Sequence, residues 1–200
     1  DRWAEALNAW RDQHHLRQSW RRLAPLLMGM PDDQFTEILH AVSHWLERVA
    51  EARQPADGEF LSMVDRIFHA SELVEDEGET EALGADPLLA AINDPIGHTT
   101  QALISAWHGE DLKDGQGLRK PIRLRFEQVL NSPEPRYVHG RVVLARHGVM
   151  LLHVDAEWTT HNLLPWFDWQ TRPDAAAAAV WQGFLSAGRL HPPMLVAMKA

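Results

Sequence analysis

His40 and His44 lie four residues apart, a spacing at which two histidines can bind one metal ion. On a helix this spacing places both imidazoles on one face, as in helices that bind zinc. The residues between them are Ala-Val-Ser, so the glutamate of a metalloprotease helix is missing and no third ligand is evident. We expect two solvent-facing histidines beside Trp45, with no metal and no cofactor. Other histidines show no ligand grouping either: His14, His15, His98, His139, His147, His153 and His161.

Two carboxylates, Asp155 and Glu157, could serve acid–base catalysis. Side chains at i and i+2 of a helix do not face each other, however. Because Asp155 precedes a helical pattern, we interpret it as an N-cap, with Glu157 in the positive first turn. Asp168, between Phe167 and Trp169, is a candidate buried acid, and the simpler interpretation is that it caps or pairs with an arginine such as Arg172 or Arg189.

Nucleophilic chemistry has no recognisable motif in this chain. Ser43, Ser105 and Ser186 lack the Gly-x-Ser-x-Gly context of a nucleophile elbow. The turn at 115–117, Gly-Gln-Gly, lacks the preceding strand of a nucleotide loop. Cysteine is absent, which excludes disulfides, zinc–thiolate sites and thiol catalysis. We therefore expect that this chain is not an enzyme.

A basic cluster lies at the start of a predicted helix. Helical spacing sets Arg119 and Arg123 on one face, where they could bind phosphate. No aromatic residues interleave with these bases for stacking on nucleobases, so a solvated face or pairing with acids is the simpler interpretation. A nucleic-acid-binding helical module is the alternative. The cluster is Arg119, Lys120, Arg123 and Arg125, with Arg136, Arg141 and Arg146 following.

Tryptophans are concentrated near the C-terminus, where four of the nine fall within 24 residues. Because tryptophan carries a large apolar area, this density indicates a buried helix-packing seam or a contact surface. We predict that at least three of the four are mostly buried. Trp166 and Trp169, with the basic cluster, are the candidate interaction residues. The four are Trp158, Trp166, Trp169 and Trp181.

Apolar residues recur at helical spacing nearly throughout the chain. The clearest helix is predicted over 32–53, with one continuous apolar stripe and Asp32 or Asp33 as N-cap. A second helix is predicted from about Glu59 to Ser71, packed on the first as an antiparallel hairpin. The stripe of the first helix is Phe35, Ile38, Leu39, Val42, Trp45, Leu46 and Val49.

The second half of the chain continues the helical pattern. Asp86-Pro87 and Asp94-Pro95 each predict a helix start, with Asp as the cap and Pro at the first helical position. No run alternates apolar and polar residues over the length of a strand. The predicted fold is all-α, an irregular α-solenoid (HEAT-like) or stacked helical hairpins. Further helices are predicted at about 118–131, 136–153, 156–167, 174–187 and 193–199.

The net charge of −9 is concentrated in one stretch, because residues 57–87 hold ten acids and one base. We predict helical hairpins over 1–71, an exposed acidic linker over 72–86 and a helical domain over 87–200. No stretch approaches 18 apolar residues, so we expect no membrane span. A signal peptide is not evident, and we expect a cytoplasmic location. The start at Asp1 without Met suggests a piece of a longer protein.

Four short motifs within about residues 86–200 resemble a known family. Their residue types and order are similar to a C-terminal domain of unknown function, found in large bacterial proteins that begin with a sirtuin-like domain. Residues 1–85 carry no such resemblance. The motifs are Asn93-Asp94-Pro95-Ile96-Gly97 followed by Ala102-Leu103, then Val154-Asp155-x-Glu157-Trp158, Leu163-Leu164-Pro165-x-Phe167-Asp168-Trp169 and Trp181-Gln182-Gly183-Phe184-Leu185.

This resemblance implies a role in anti-phage defence, in which the sirtuin-like domain degrades NAD. The present chain has no Rossmann fingerprint, so the catalytic part lies elsewhere and no catalytic residue carries over. What remains is a sensing, regulatory or assembly module. Its expected partner is a phage protein, another protomer in a homo-oligomer, or its own N-terminal effector domain. A hydrolase with an unrecognised site is a third, weaker hypothesis.

Overall fold

A computed structural model describes residues 2–9, 13–52, 58–74, 86–172, 174–188 and 191–198. Every regular element in these ranges is helical and none is a strand, which confirms the all-α prediction. None of the helices in these ranges combines the length and the apolarity needed to cross a bilayer. The chain forms two compact units: the N-terminal unit, Asp1–Asp76 with Asp94–Glu110, and the C-terminal unit, Glu77–Asn93 with Asp111–Ala200.

The N-terminal unit contains six helices among its described residues. The six helices are α1 (Arg2–Ala9), α2 (Gln13–Met28), α3 (Asp32–Glu37), α4 (Leu39–Glu51), α5 (Gly58–Leu73) and α7 (Pro95–His108). The helix α7 comes from beyond the acidic stretch and packs against α4 and α5. The helix that precedes it in the chain, α6 (Pro87–Ala91), belongs to the C-terminal unit.

The predicted helix over 32–53 is interrupted at Ile38, whose backbone leaves the helical region at φ −110° and ψ 9°. The buried stripe is as predicted, because its members from Phe35 to Val49 are all buried. The prediction of Asp32 or Asp33 as the N-cap is wrong. The N-cap is Pro31, and the Asp32 carboxylate lies 3.4 Å from an Arg66 guanidinium nitrogen instead.

The core of this unit is built around aromatic side chains. Trp45 stacks on Trp20 with ring centroids 5.6 Å apart. The Trp45 indole N–H donates to the Ser19 hydroxyl at 3.0 Å, so the buried ring keeps its polar atom satisfied. On the other side, the Arg66 guanidinium lies 4.4 Å from the Phe35 ring centroid and donates to the carbonyl of Met28.

The two Asp-Pro sequences start helices as predicted. The Asp86 carboxylate accepts hydrogen bonds from the amides of Leu88 and Leu89 at the start of α6 (Pro87–Ala91). Asp94 does the same for Ile96 and Gly97 at the start of α7. The predicted linker over 72–86 is described only at its ends. Glu72 lies in α5, and residues 75–85 fall outside the described residues.

The C-terminal unit begins with α6 and continues as a series of short helices. Between α11 and α12 the chain passes through a π-helical turn, Thr159–Leu163, and a 3₁₀ turn, Leu164–Phe167, which contains Pro165. The helix predicted over 136–153 is divided at His147. The helices are α8 (Lys120–Asn131), α9 (Tyr137–Arg146), α10 (Gly148–Val154), α11 (Ala156–Trp158), α12 (Asp174–Ser186) and α13 (Pro192–Ala197).

Two helices of this unit, α9 and α12, pack closely against each other. A β-carbon at Gly183 on α12 would lie 2.3 Å from the carbonyl oxygen of Val142 on α9. Glycine therefore allows the two backbones to approach. Around this contact, α6 packs on both helices through Ala91, Val143 and Ala179.

The tryptophan seam is formed mainly by buried rings. Trp158 and Trp166 are buried, Trp181 is half-buried, and Trp169 is exposed. The Trp181 indole N–H donates to the Phe167 carbonyl at 3.0 Å, and its ring packs edge-on against Phe167. Three of the four tryptophans thus have most of their surface covered, as predicted, and Trp169 is the exception.

Candidate functional site

A cluster of histidines lies between α4 and α7 in the N-terminal unit. His40 and His44 share one face of α4, as their spacing predicts. His98, in the first turn of α7, places its ring centroid 5.4 Å from that of His40 and 5.1 Å from that of His44. No spacing in the sequence indicates that His98 lies beside His40 and His44. Contact between two helices far apart in sequence brings the three imidazoles together.

A carboxylate completes this cluster. Glu47 lies one turn beyond His44 on α4, and its Oε2 atom is 2.5 Å from Nδ1 of His98. Only 8% of the His98 side chain and 19% of the Glu47 side chain are exposed. A short bond in such a poorly hydrated place fixes the orientation of the imidazole between α4 and α7. Sequence analysis missed this pair because no local spacing relates residues 51 apart.

The electrostatics of the cluster oppose a further positive charge. Burial, and next the neighbouring His98, lower the pKa of His44, against the opposing effect of Glu47. Glu51, one turn beyond Glu47, has its pKa raised by burial and by the charge of Glu47. Protonation of His44 is therefore disfavoured in the folded chain. In the part of the chain that the structure describes, no three His, Asp or Glu side chains are placed to hold one metal ion.

We expect the chain to lose stability between about pH 7 and about pH 5 more steeply than a His44→Gln variant. A histidine whose pKa is lowered binds fewer protons folded than unfolded. Its contribution to stability is present above its ordinary pKa of 6.5 and is lost as the pH falls towards the folded value. Urea unfolding at several pH values, with hydrogen exchange at α4 and α7, measures the effect.

Glu51→Gln is the control, and its effect on the pH dependence of stability should be opposite to that of His44→Gln. An acid whose pKa is raised stabilises the folded chain below its ordinary value of 4.5 and loses that contribution as the pH rises. Removal of the Glu51 carboxyl group should therefore make the stability of the chain fall more steeply as the pH is lowered. Identical pH dependence in the wild-type chain and in His44→Gln would show that the cluster does not control stability.

The predicted basic cluster lies at the start of α8. Arg119 and Lys120 are exposed. Arg123 is paired with Glu127, one turn further on, with 2.8 Å between Nε and Oε1. Arg125 is half-buried and donates to the carbonyl of Pro121 at 2.8 Å. Arg123 and Arg125 are therefore engaged within their own helix.

The later arginines divide between surface and interior. Arg146 is exposed and Arg136 half-buried, whereas Arg141 is buried. The Arg141 guanidinium donates to the backbone carbonyl of Val129, 3.2 Å away, and lies 4.0 Å from the centroid of the Trp166 ring. Arg172 also lies over this ring, at 3.9 Å. Trp166 and Arg141 are thus packing residues of the C-terminal unit.

Trp169 is the other predicted interaction residue, and its ring is 51% exposed. The turn that carries it is held by Asp168, whose carboxylate accepts from the amide of Gln170 and the hydroxyl of Thr171, both at 2.9 Å. Asp168 is exposed, so it is not a buried acid, but the interpretation of Asp168 as a cap is confirmed by these two bonds. These bonds present an indole ring to solvent on an ordered turn.

The carboxylates Asp155 and Glu157 form no acid–base pair. The two oxygens of Asp155 accept from the amides of Trp158 at 3.0 Å and Leu118 at 2.9 Å, so Asp155 caps α11 and anchors the polar loop before α8. This confirms Asp155 as an N-cap. Glu157 is exposed in the first turn of α11.

Comparison of the chain with protein-family models, with curated proteins and with solved structures finds no match to any of them. A functional conclusion for this chain must therefore be drawn from its own residues.

Proposed function

We propose that this chain is a non-catalytic protein-interaction, sensing or assembly module of a larger bacterial protein. Trp169 carries the proposal: it is the exposed tryptophan of a segment whose other tryptophans are covered. Tryptophan is enriched among the few residues that dominate binding energy at protein interfaces. Single exposed apolar residues are common on protein surfaces, so the exposure of Trp169 alone would not indicate an interface. The turn that fixes the position of Trp169 is what supports this interpretation.

The turn fixes the position of Trp169 before a partner binds. Because the Asp168 carboxylate binds the Gln170 amide and the Thr171 hydroxyl, which directly follow Trp169, docking of the indole would order few additional groups. Binding then loses less conformational entropy than it would with a flexible loop. An aromatic anchor of this kind suits a shallow apolar pocket on a protein partner, either the N-terminal effector domain of the same protein or a second protomer.

The larger protein that we propose is a sirtuin-like, NAD-degrading defence protein located in the cytoplasm, on the basis of the motifs in residues 86–200. For the helices we propose an irregular α-solenoid or stacked hairpins. The short helices and varied connections of the C-terminal unit support an irregular arrangement more than a regular repeat.

Nucleic-acid binding is the weaker alternative. Phosphate binding needs several bases that remain available on one face. Arg123 is already paired with Glu127, and Arg141 is directed into the C-terminal unit against Trp166. Arg119 and Lys120 keep exposed side chains, which is a small footprint for a duplex.

A photoreactive phenylalanine analogue at position 169 should form cross-links to protein when placed in the full-length polypeptide inside cells. Mass spectrometry of the linked peptides identifies which surface the residue contacts. Position 124 on α8 is the matched control, since Leu124 is 52% exposed and also apolar, and it lies beside the basic cluster. We expect defined peptides from position 169 and few from 124.

Two outcomes contradict the proposal. Equal, unspecific cross-linking from both positions would show that exposure alone explains the signal. Cross-links from position 124 to nucleic acid, with none to protein from 169, would favour the alternative.

A further inference from the structure

A second pair of histidines lies in the C-terminal unit, away from Trp169 in the sequence. His153 is in the last turn of α10, and His191 immediately precedes α13. Their Nε2 atoms are 3.3 Å apart and their ring centroids 4.9 Å apart. The sequence places these residues 38 positions apart, so no spacing motif indicates the pair.

The separation of the two nitrogens matches that of two ligands on one metal ion. Imidazole nitrogens bind zinc at about 2.0–2.1 Å with tetrahedral angles, which places two such nitrogens about 3.4 Å apart. Imidazole also suits copper and nickel. Without an ion, one neutral imidazole can donate a hydrogen bond to the other. The same distance between the two nitrogens is therefore compatible with a histidine pair that has no metal bound.

The position of the Asp114 carboxylate indicates which ring nitrogen of His153 can bind a metal ion. The Asp114 carboxylate lies 3.5 Å from Nδ1 of His153, on the side of the ring opposite to His191. A carboxylate in that position favours a proton on Nδ1 and leaves the lone pair of Nε2 for a metal. Carboxylate–histidine–metal arrangements use the same order of groups.

The three residues come from three segments that are held by separate contacts. The amide of Gly115 donates to the carbonyl of His153 at 2.8 Å, which places Asp114 beside α10. On the other side, fully buried Met194 of α13 packs against Gly148 at the start of α10. The site does not depend on the metal for its assembly, so its geometry is preformed.

We propose that His153 and His191 bind a divalent transition-metal ion of the zinc and copper class through their Nε2 atoms, with Asp114 orienting His153. Water supplies the remaining ligands, since the site offers two imidazoles and is open to solvent: 45% of the His153 side chain and 85% of Asp114 are exposed. The bound ion would tie the start of α13 to the end of α10. Because imidazole binds metal unprotonated, affinity falls on acidification.

Titration of the untagged chain with Cu²⁺ at neutral pH, followed by electron paramagnetic resonance, tests the proposal. We expect one equivalent to bind with hyperfine structure from two nitrogens. His153→Gln and His191→Gln should each abolish the two-nitrogen signal. Asp114→Asn should weaken binding roughly tenfold, as loss of an orienting acid does elsewhere.

His161→Gln and His40→Gln are the matched controls. His161 is an exposed histidine of the same unit whose Nδ1 lies 2.8 Å from the Glu157 carbonyl oxygen, and His40 belongs to the other histidine cluster. Both variants should bind Cu²⁺ as the wild-type chain does. Unchanged binding in His153→Gln, loss of binding in His40→Gln, or no binding by the wild-type chain would each overturn the proposal. Circular dichroism without metal verifies that every variant is folded.

Discussion

Gly183→Ala is expected to destabilise the C-terminal unit by about 3 kcal/mol, at the upper end of what overpacking costs in protein cores. The new β-carbon would lie 2.3 Å from the Val142 carbonyl oxygen, and real β-carbons essentially never approach another atom within 3.0 Å. Since the obstacle is the backbone of α9, the two helices must separate. Alanine gains about 1 kcal/mol of helix propensity over glycine, which offsets only part of the strain. Thermal and urea unfolding measure the difference.

Gly148→Ala is the control in the same unit. Its β-carbon would also be close to a neighbour, 2.9 Å from the terminal methyl of Met194. That methyl is the flexible end of a long side chain and can rotate away. We expect a change within about 1 kcal/mol. Equal effects of the two substitutions would show that the distance between α9 and α12 is not what requires glycine at position 183.

Trp158→Ala is expected to destabilise the same unit by about 3–5 kcal/mol, the usual cost of removing a buried tryptophan. The Trp158 ring is 2% exposed and packs against Phe126 with centroids 6.0 Å apart. Its indole N–H donates to the Glu127 carboxylate at 3.1 Å, so the substitution also removes a hydrogen bond. The midpoint of urea unfolding, followed by circular dichroism, reports the loss.

Trp169→Ala is the matched control, because it deletes the same side chain from an exposed turn. We expect a change of no more than about 0.5 kcal/mol, as for surface substitutions in general. A loss as large as that of Trp158→Ala would place Trp169 in the core and remove the basis for the interaction proposal. A stable Trp169→Ala protein is also the reagent with which loss of partner binding can be measured.

Local signals in the sequence were sufficient for the helices and several of their ends. The Asp-Pro pairs at 86–87 and 94–95 cap two helices as predicted, because capping needs only a carboxylate and the next three amides. The stripe from Phe35 to Val49 is buried as predicted. The break at Ile38 was not predicted, since the apolar period continues through it.

The candidate sites depended far more on tertiary structure. The sequence indicated His40 and His44, but only helix packing brings His98 against them and against Glu47, which lies 51 positions before His98 in the chain. The same is true of His153 and His191. Among the basic residues, nothing in the spacing distinguishes Arg141, which lies buried against Trp166, from Arg119 at the surface.

The sequence by itself determined the all-α class, the buried helix faces and the caps at Asp86, Asp94 and Asp155, because each of these depends on residues within one or two turns of each other. Only the tertiary structure decided that α7 packs with the N-terminal unit, that Gly183 meets Val142, and that Trp169 remains exposed while Trp166 is covered. These features are contacts between segments distant along the chain. Hydrophobic burial drives such contacts but has no direction, so periodicity tells which face is buried and not which partner covers it.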